Sequence, residues 1–168
     1  MIMELVVLIS LTLHPSEPPV SGGVKDLLSQ REGFENKVYM DTTGHLTGGT
    51  GHKLSPEEIM LYPEGTDLPK ELTDKWESND RKTAKNHAET QSRELGIEDE
   101  DFNKALQSMN FQSGGAWNKD HKETWEALMN KDYDKAIWEI EHNSLWYKQT
   151  PKRAKDFIKA IEKLKQRK

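Results

Sequence analysis

The 168-residue chain contains no cysteine. Disulfide frameworks and thiolate-bound metals are therefore excluded. The compartment stays open, because a disulfide-free protein can work on either side of a membrane. Apolar residues are scarce, at 33% against 32% charged. That balance suits a very soluble, helix-rich protein rather than a large sheet. Long hydrophobic runs are missing as well. Leu5–Leu13 (LVVLISLTL) is an apolar run of nine, too short to span a bilayer, and Glu4 precedes it in place of a basic residue. Counting from Met1 still leaves it short, and Pro15, Pro18 and Pro19 then break any helix. Three readings of this segment stand side by side: a poor secretion or signal-anchor segment, a buried piece of the core, or an extension with no catalytic part.

An excess of basic charge is also lacking, since the net charge is −5. Its distribution is uneven. Lys148 to Lys168 holds nine Lys/Arg against two acids, a local +7, which leaves −12 on the rest. Such a segment either helps to hold an anionic polymer or is a solvated helix face. Nucleic acid is a poor partner for this chain, which is acidic overall and shows no recognition-helix or RNA-binding motif.

The length fits one domain, or two small lobes sharing a helix, and suffices to bury a core. Pro15–Gly23 reads as a linker. Val24, Leu27 and Leu28 mark one face of a short helix over 24–31, ending near Gly33. Glu32–His52 then changes character, with five glycines, four threonines and the β-formers Val38 and Tyr39. It predicts short antiparallel strands, with Gly44 turning the first hairpin. Ser55-Pro56-Glu57-Glu58 has the form of a helix start. Thr73–Leu95 has no proline or glycine and predicts one long helix, with Trp76, Ala84 and Ala88 on its buried side. Leu61–Leu72, with Pro63, Gly65 and Pro69, predicts an irregular loop. Further helices are expected over Phe102–Phe111, His121–Met129, Asp134–His142 and Pro151–Leu164. In the last of these, Ala154, Phe157, Ile158, Ile161 and Leu164 form an apolar stripe. Trp76, Trp125 and Trp138 are expected in the core, and Trp117 in packing of its lobe. The fold class is α+β, with a small antiparallel sheet lobe joined by a long helix to a helical lobe.

Glycosidic bond cleavage needs a proton donor for the leaving oxygen and a second group that activates water or attacks carbon. Glu32 stands where a helix gives way to a glycine-rich sheet, a junction that can place a carboxyl at a rim. Asp41 lies nine residues on and Thr47 six further. A threonine hydroxyl can both donate to and accept from water. With 29 acids in the chain, spacing alone leaves a second reading open, in which Glu32 ends a surface helix and Asp41 caps a turn. His45, His52, His87, His121 and His142 show no zinc-site pattern. Thr47–Gly51 lacks the Gly-Lys-Ser/Thr ending of a phosphate loop.

Glu32-x8-Asp41-x5-Thr47 resembles the catalytic signature of the T-even phage lysozymes, glycoside hydrolase family 24. Thr47-Gly-Gly-Thr-Gly-His52 is similar to that family's T-x-G-x-G-H run. Trp146-Tyr-Lys-Gln-Thr-Pro-Lys-Arg153-Ala154 resembles its W-Y-x-Q-T-P-x-R-A block, and Met109–Gly114 a helical-lobe segment bordering the cleft. The resemblance runs from about Val24 to Leu164. It implies a muramidase-type endolysin acting on peptidoglycan glycan strands, with inversion. Glu32 would be the general acid, Asp41 would orient water or stabilise positive charge, and Thr47 would help to hold that water. Arg153 would pair near Glu32, Gln112 would bind substrate or support the site, and His52 would be structural, supporting the sheet near Asp41 or its neighbours. The resemblance implies no cofactor and no metal, a monomer, synthesis in the host cytoplasm and action at the cell wall. Membrane contact would be confined to residues 1–14. A lytic transglycosylase and a non-catalytic wall-binding module are the alternatives. Residues 1–20 are expected as an extension or anchor and 21–168 as the catalytic domain. Within it, the sheet lobe covers about 32–72, the connecting helix 73–95 and the helical lobe 96–168. The extension and the acidic charge depart from the simplest members.

Overall fold

The computed structural model describes residues 33–167. The apolar run at 5–13, the helix expected over 24–31 and Glu32 lie outside the described residues. Residues 33–80 form one compact unit and residues 81–167 another.

In the first unit, β1 (Glu35–Met40), β2 (Leu46–Gly49) and β3 (His52–Lys53) form an antiparallel sheet in that order. Tyr39 pairs with Thr47 and Met40 with Leu46, while a register shift between Glu35 and Tyr39 bends β1. The hairpin turns through residues 41–45. The Gly44 N–H meets the Asp41 carbonyl at 3.2 Å, and Gly44 has φ +84, the left-handed conformation that glycine adopts without a Cβ clash.

The stretch after α1 (Pro56–Leu61) is the loop that its prolines and glycine predict, but it is not idle. It runs along the outer edge of β1. Val38 N–H donates to Thr66 O, Gly65 N–H to Val38 O and Leu68 N–H to Asn36 O. These bonds satisfy an edge that would otherwise be open to pairing. Leu68 then joins Val38, Leu54 and Trp76 in a small core. Helix α1 starts as its sequence predicts: Ser55 and Glu58 exchange both bonds of a capping box.

Helix α2 (Lys70–Leu95) begins three residues before the expected Thr73. Its first turn holds Thr73, 1% exposed, with its hydroxyl on the Lys70 carbonyl. Trp76, Ala84 and Ala88 are buried as expected. His52 is fixed by three groups of this unit. Nδ1 lies 2.7 Å from Asp80 Oδ2, Nε2 lies 3.0 Å from Glu58 Oε1, and the ring stacks on Trp76 at 4.3 Å. It therefore ties β3 to α1 and α2 and supports the sheet from that end.

The second unit is helical: α3 (Glu100–Ser113), α4 (Trp117–Asp120), α5 (Lys122–Met129), α6 (Tyr133–Asn143), α7 (Leu145–Gln149) and α8 (Pro151–Gln166). The short α4 and α7 have too few residues to show a period, and the sequence does not predict them. Asp99 caps α3 through Phe102 N–H, and Asp132 caps α6 through Lys135 N–H. The expected stripe of α8 is buried throughout, packing with Phe102, Leu106, Trp117 and Ile140. Fully burying each of the larger side chains, Phe157, Ile158, Ile161 and Leu164, contributes about 1.5–3 kcal/mol.

Trp117 is 0% exposed, consistent with a packing role. Trp125 packs on the core's margin. Trp138 corrects the core expectation: it is 51% exposed and stacks on His142 one helical turn away. Its neighbours Ala136 and Ile140 take the buried face of α6 instead.

Three buried side chains of this unit, Gln91, Asn110 and Trp117, are joined into one network. Trp117 Nε1–H donates to Gln91 Oε1 at 2.9 Å, as does Asn110 Nδ2 at 2.8 Å. Gln91 Nε2 in turn donates to Asn110 Oδ1 and the Gly115 carbonyl. Three C-terminal charges also pair within the unit. Lys163 reaches Asp101, Lys165 reaches Asp134, and Arg167 reaches Asp99 and Asp101. Three of the nine basic residues in the +7 segment thus pair with this unit's own acids.

Candidate active site

The residues 41–47 form a local site built by one hairpin. Asp41 follows the last residue of β1, and Thr47 lies in β2 opposite Tyr39. The spacing between them is the length of the turn plus one pleat, so both side chains return to the same end of the sheet.

The two Asp41 oxygens have different partners. Oδ1 accepts three bonds, from Thr43 N–H at 2.9 Å, Thr43 Oγ1 at 2.8 Å and His45 N–H at 2.8 Å. Among the described residues, Oδ2 meets only the Thr47 hydroxyl, at 3.4 Å. That hydroxyl lies closer to the His45 carbonyl, at 3.0 Å. It carries one proton, and the shorter bond takes it. Thr47 Oγ1 and Asp41 Oδ2 then stand side by side as two acceptors.

The electrostatics follow from these contacts. Burial would raise the Asp41 carboxyl. The bonds from the His45 and Thr43 backbone and the Thr43 hydroxyl, with the charge of Lys53, outweigh it and hold the pKa below its usual value. Asp41 is therefore a carboxylate across the neutral range. Thr47 is 3% exposed.

Of the other expected site residues, Gln112 and Arg153 lie in the helical unit, and Glu32 lies outside the described residues. Gln112, at the end of α3, accepts a bond from the Thr150 hydroxyl at 3.2 Å. The two downstream motifs therefore meet each other. Arg153 is buried in the first turn of α8 at 5% exposure. Trp146 packs against Trp117, His121 and Phe157. Much of the second motif is thus the framework of the α7–α8 junction. Thr43 and His45 escaped the sequence reading. The signal for them was available, in the Asp-x-Thr-Gly-His pattern of an aspartate turn, where positions two and four residues on supply donors.

No family model matches the chain. Two curated proteins resemble it over most of its length. The peptidoglycan hydrolase gp36 of Pseudomonas phage phiKMV is 32% identical over 135 residues, 80% of this chain. The chain spans only 14% of that much longer protein. The probable T4-type lysozyme 2 of Dictyostelium discoideum is 28% identical over 159 residues, covering 83% of this chain and 93% of that protein. These relatives bear out the resemblance to phage-type lysozymes. The fold that the resemblance implies, a small antiparallel sheet followed by helices, is the fold observed.

Proposed function

We propose that the chain hydrolyses bacterial peptidoglycan, cutting the β-1,4 bond between N-acetylmuramic acid and N-acetylglucosamine with inversion. The observation that carries this reading is the divided Asp41 carboxylate. Oδ1 is used by the turn, and Oδ2 stands 3.4 Å from Thr47 Oγ1, which becomes a second acceptor when its proton goes to the nearer His45 carbonyl at 3.0 Å. A water donating one proton to each would keep an oxygen lone pair free for attack on the sugar carbon. The names of both relatives, a peptidoglycan hydrolase and a T4-type lysozyme, support the substrate.

In this mechanism the Glu32 carboxyl gives its proton to the glycosidic oxygen as the bond to C1 breaks. The bonding pair leaves with that oxygen, and positive charge spreads over C1 and the ring oxygen. The ionised Asp41 stabilises this charge. The held water attacks C1 from the opposite face, and its proton passes to Asp41 Oδ2. A carboxylate with a depressed pKa is a weak base toward free water. It becomes an adequate one as the new C–O bond makes that water acidic. Gln112 and Arg153 are proposed as supporting residues on the sequence resemblance alone.

The chain is further proposed to work as a monomer on the cell wall, made in the host cytoplasm and serving host lysis. No helix among the described residues is long and apolar enough to cross a membrane. The test is turbidity loss of a permeabilised Gram-negative suspension, with mass spectrometry of the released fragments. Wild type should clear the suspension and leave reducing ends, while Glu32→Gln and Asp41→Asn should not clear it. Anhydromuramyl ends would show a transglycosylase instead. Binding without clearance would show a wall-binding module.

A further inference from the structure

We infer that Thr43 is a positioning residue for this reaction: its hydroxyl, held between His45 and Asp41, fixes the rotation of the Asp41 carboxylate and keeps Oδ2 beside Thr47. The inference rests on the role proposed for Asp41.

A carboxylate turns easily about its last torsion, whose energy profile is broad. Rotation would tilt the plane of the two oxygens away from Thr47 and spoil a shared water position. Three donors at Oδ1 oppose that rotation. Two are backbone N–H groups of the turn. The third, Thr43 Oγ1 at 2.8 Å, is the side-chain donor, and it completes a three-point clamp.

The direction of that third bond is set by His45. Thr43 Oγ1 has one proton and two partners at 2.8 Å, Asp41 Oδ1 and His45 Nδ1. The carboxylate can only accept. Donation to Asp41 therefore requires His45 Nδ1–H to donate to Thr43 Oγ1. The result is a directed chain, His45 to Thr43 to Asp41, in which each bond polarises the next. His45 Nδ1 is 3.9 Å from Asp41 Oδ1, too far for a direct bond, so its ring acts through Thr43. Thr43 and the His45 ring are both exposed, and their replacement leaves the two cores of the protein untouched.

The experiment compares wild type, Thr43→Val, Thr43→Ser, His45→Ala and Asp41→Asn on purified peptidoglycan, reading kcat, KM and the pH profile. Val keeps the shape of Thr and removes the hydroxyl. In Thr43→Val, kcat should fall about tenfold, with KM within about twofold of wild type. The acid limb of its profile should move to higher pH, because a donor that favours the ionised Asp41 is gone. Thr43→Ser should restore both, and His45→Ala should fall between wild type and Thr43→Val. A Thr43→Val enzyme with wild-type kcat and an unmoved acid limb, beside an inactive Asp41→Asn, would overturn this inference alone. So would a Thr43→Ser enzyme as impaired as Thr43→Val, because contact rather than the hydroxyl would then matter. An active Asp41→Asn would overturn the proposed mechanism and this inference with it.

Discussion

Replacing Gln91 by leucine tests whether the buried amide network holds the helical unit together. Gln91, Asn110 and Trp117 are each less than 5% exposed. The substitution keeps volume and apolar contact but deletes four hydrogen bonds. The Trp117 indole N–H can only donate, and it loses its acceptor. Asn110 loses a donor to its carbonyl and an acceptor for one of its N–H groups. It keeps the bond from its amide to Leu106 O. Each orphaned buried group costs about 1–3 kcal/mol. Three such groups at about 2 kcal/mol each, less about 2–3 kcal/mol from burying leucine, give a net loss of about 3–4 kcal/mol.

For a unit of this size that corresponds to a fall in Tm of roughly 12–30 °C. The assay is thermal unfolding followed by near-UV circular dichroism, where Trp117 and its packed neighbours report. A double-mutant cycle with Asn110→Leu should show a coupling of about 1–3 kcal/mol, because the two amides satisfy each other. A Gln91→Leu protein melting within about 4–8 °C of wild type, a change of about 1 kcal/mol, would refute the reasoning. The network would then be replaceable by apolar packing.

Three further outcomes follow from the same structure. His52 is pulled down by burial, but the bonds and charges of Asp80 and Glu58 raise its pKa above 6.5 overall. The sheet unit should therefore be stabilised below about pH 6.5 and lose that contribution as pH rises through the folded pKa. His52→Gln should flatten the dependence of Tm on pH, and an unchanged slope would refute the assignment. Asp99→Ala removes the cap of α3 and should cost about 1–2 kcal/mol in denaturant unfolding. Trp138→Ala should change stability by less than about 0.5 kcal/mol, whereas Trp117→Ala should cost about 3–5 kcal/mol in the same measurement.

What the sequence disclosed follows the range of the forces involved. The capping box at Ser55, the Gly44 turn and the stripe of α8 are local patterns, and each formed as it predicts. Trp138 was misjudged because hydrophobicity speaks of a residue's preference and not of the face it occupies. Its helix had already filled the inner face with Ala136 and Ile140. The pairing of 65–68 with β1 and the partners of His52 stayed hidden for a different reason. The strap bonds and the His52–Asp80 contact join residues well separated along the chain, and neither segment shows on its own which partner it will meet. In the candidate site, the Asp41–Thr47 juxtaposition was legible because a single hairpin makes it. The meeting of Gln112 with Thr150 needed the fold.

Asp41 serves the turn and, in the proposed mechanism, the chemistry. These duties draw on different oxygens, and that separation has a consequence for how the site is tested. Its turn-forming oxygen needs only to accept, so the asparagine carbonyl can replace it. The duty of Oδ2 depends on charge and on accepting a proton, and an amide NH2 provides neither. Asp41→Asn should therefore keep the hairpin while removing the reaction. Asp41→Ala would remove the acceptor for Thr43 and His45 as well, mixing folding with catalysis. Thr47 depends on more distant support. Next to it, a Cβ on Gly48 would lie 2.4 Å from Leu68 Cδ1, so β2 sits against the strap that covers the edge of β1. The aspartate is thus placed by its own turn, while the threonine is placed by the packing of the sheet. Loosening that packing, as in Gly48→Ala, should separate the pair without touching either residue. Activity should then fall in Gly48→Ala while the Asp41 turn persists.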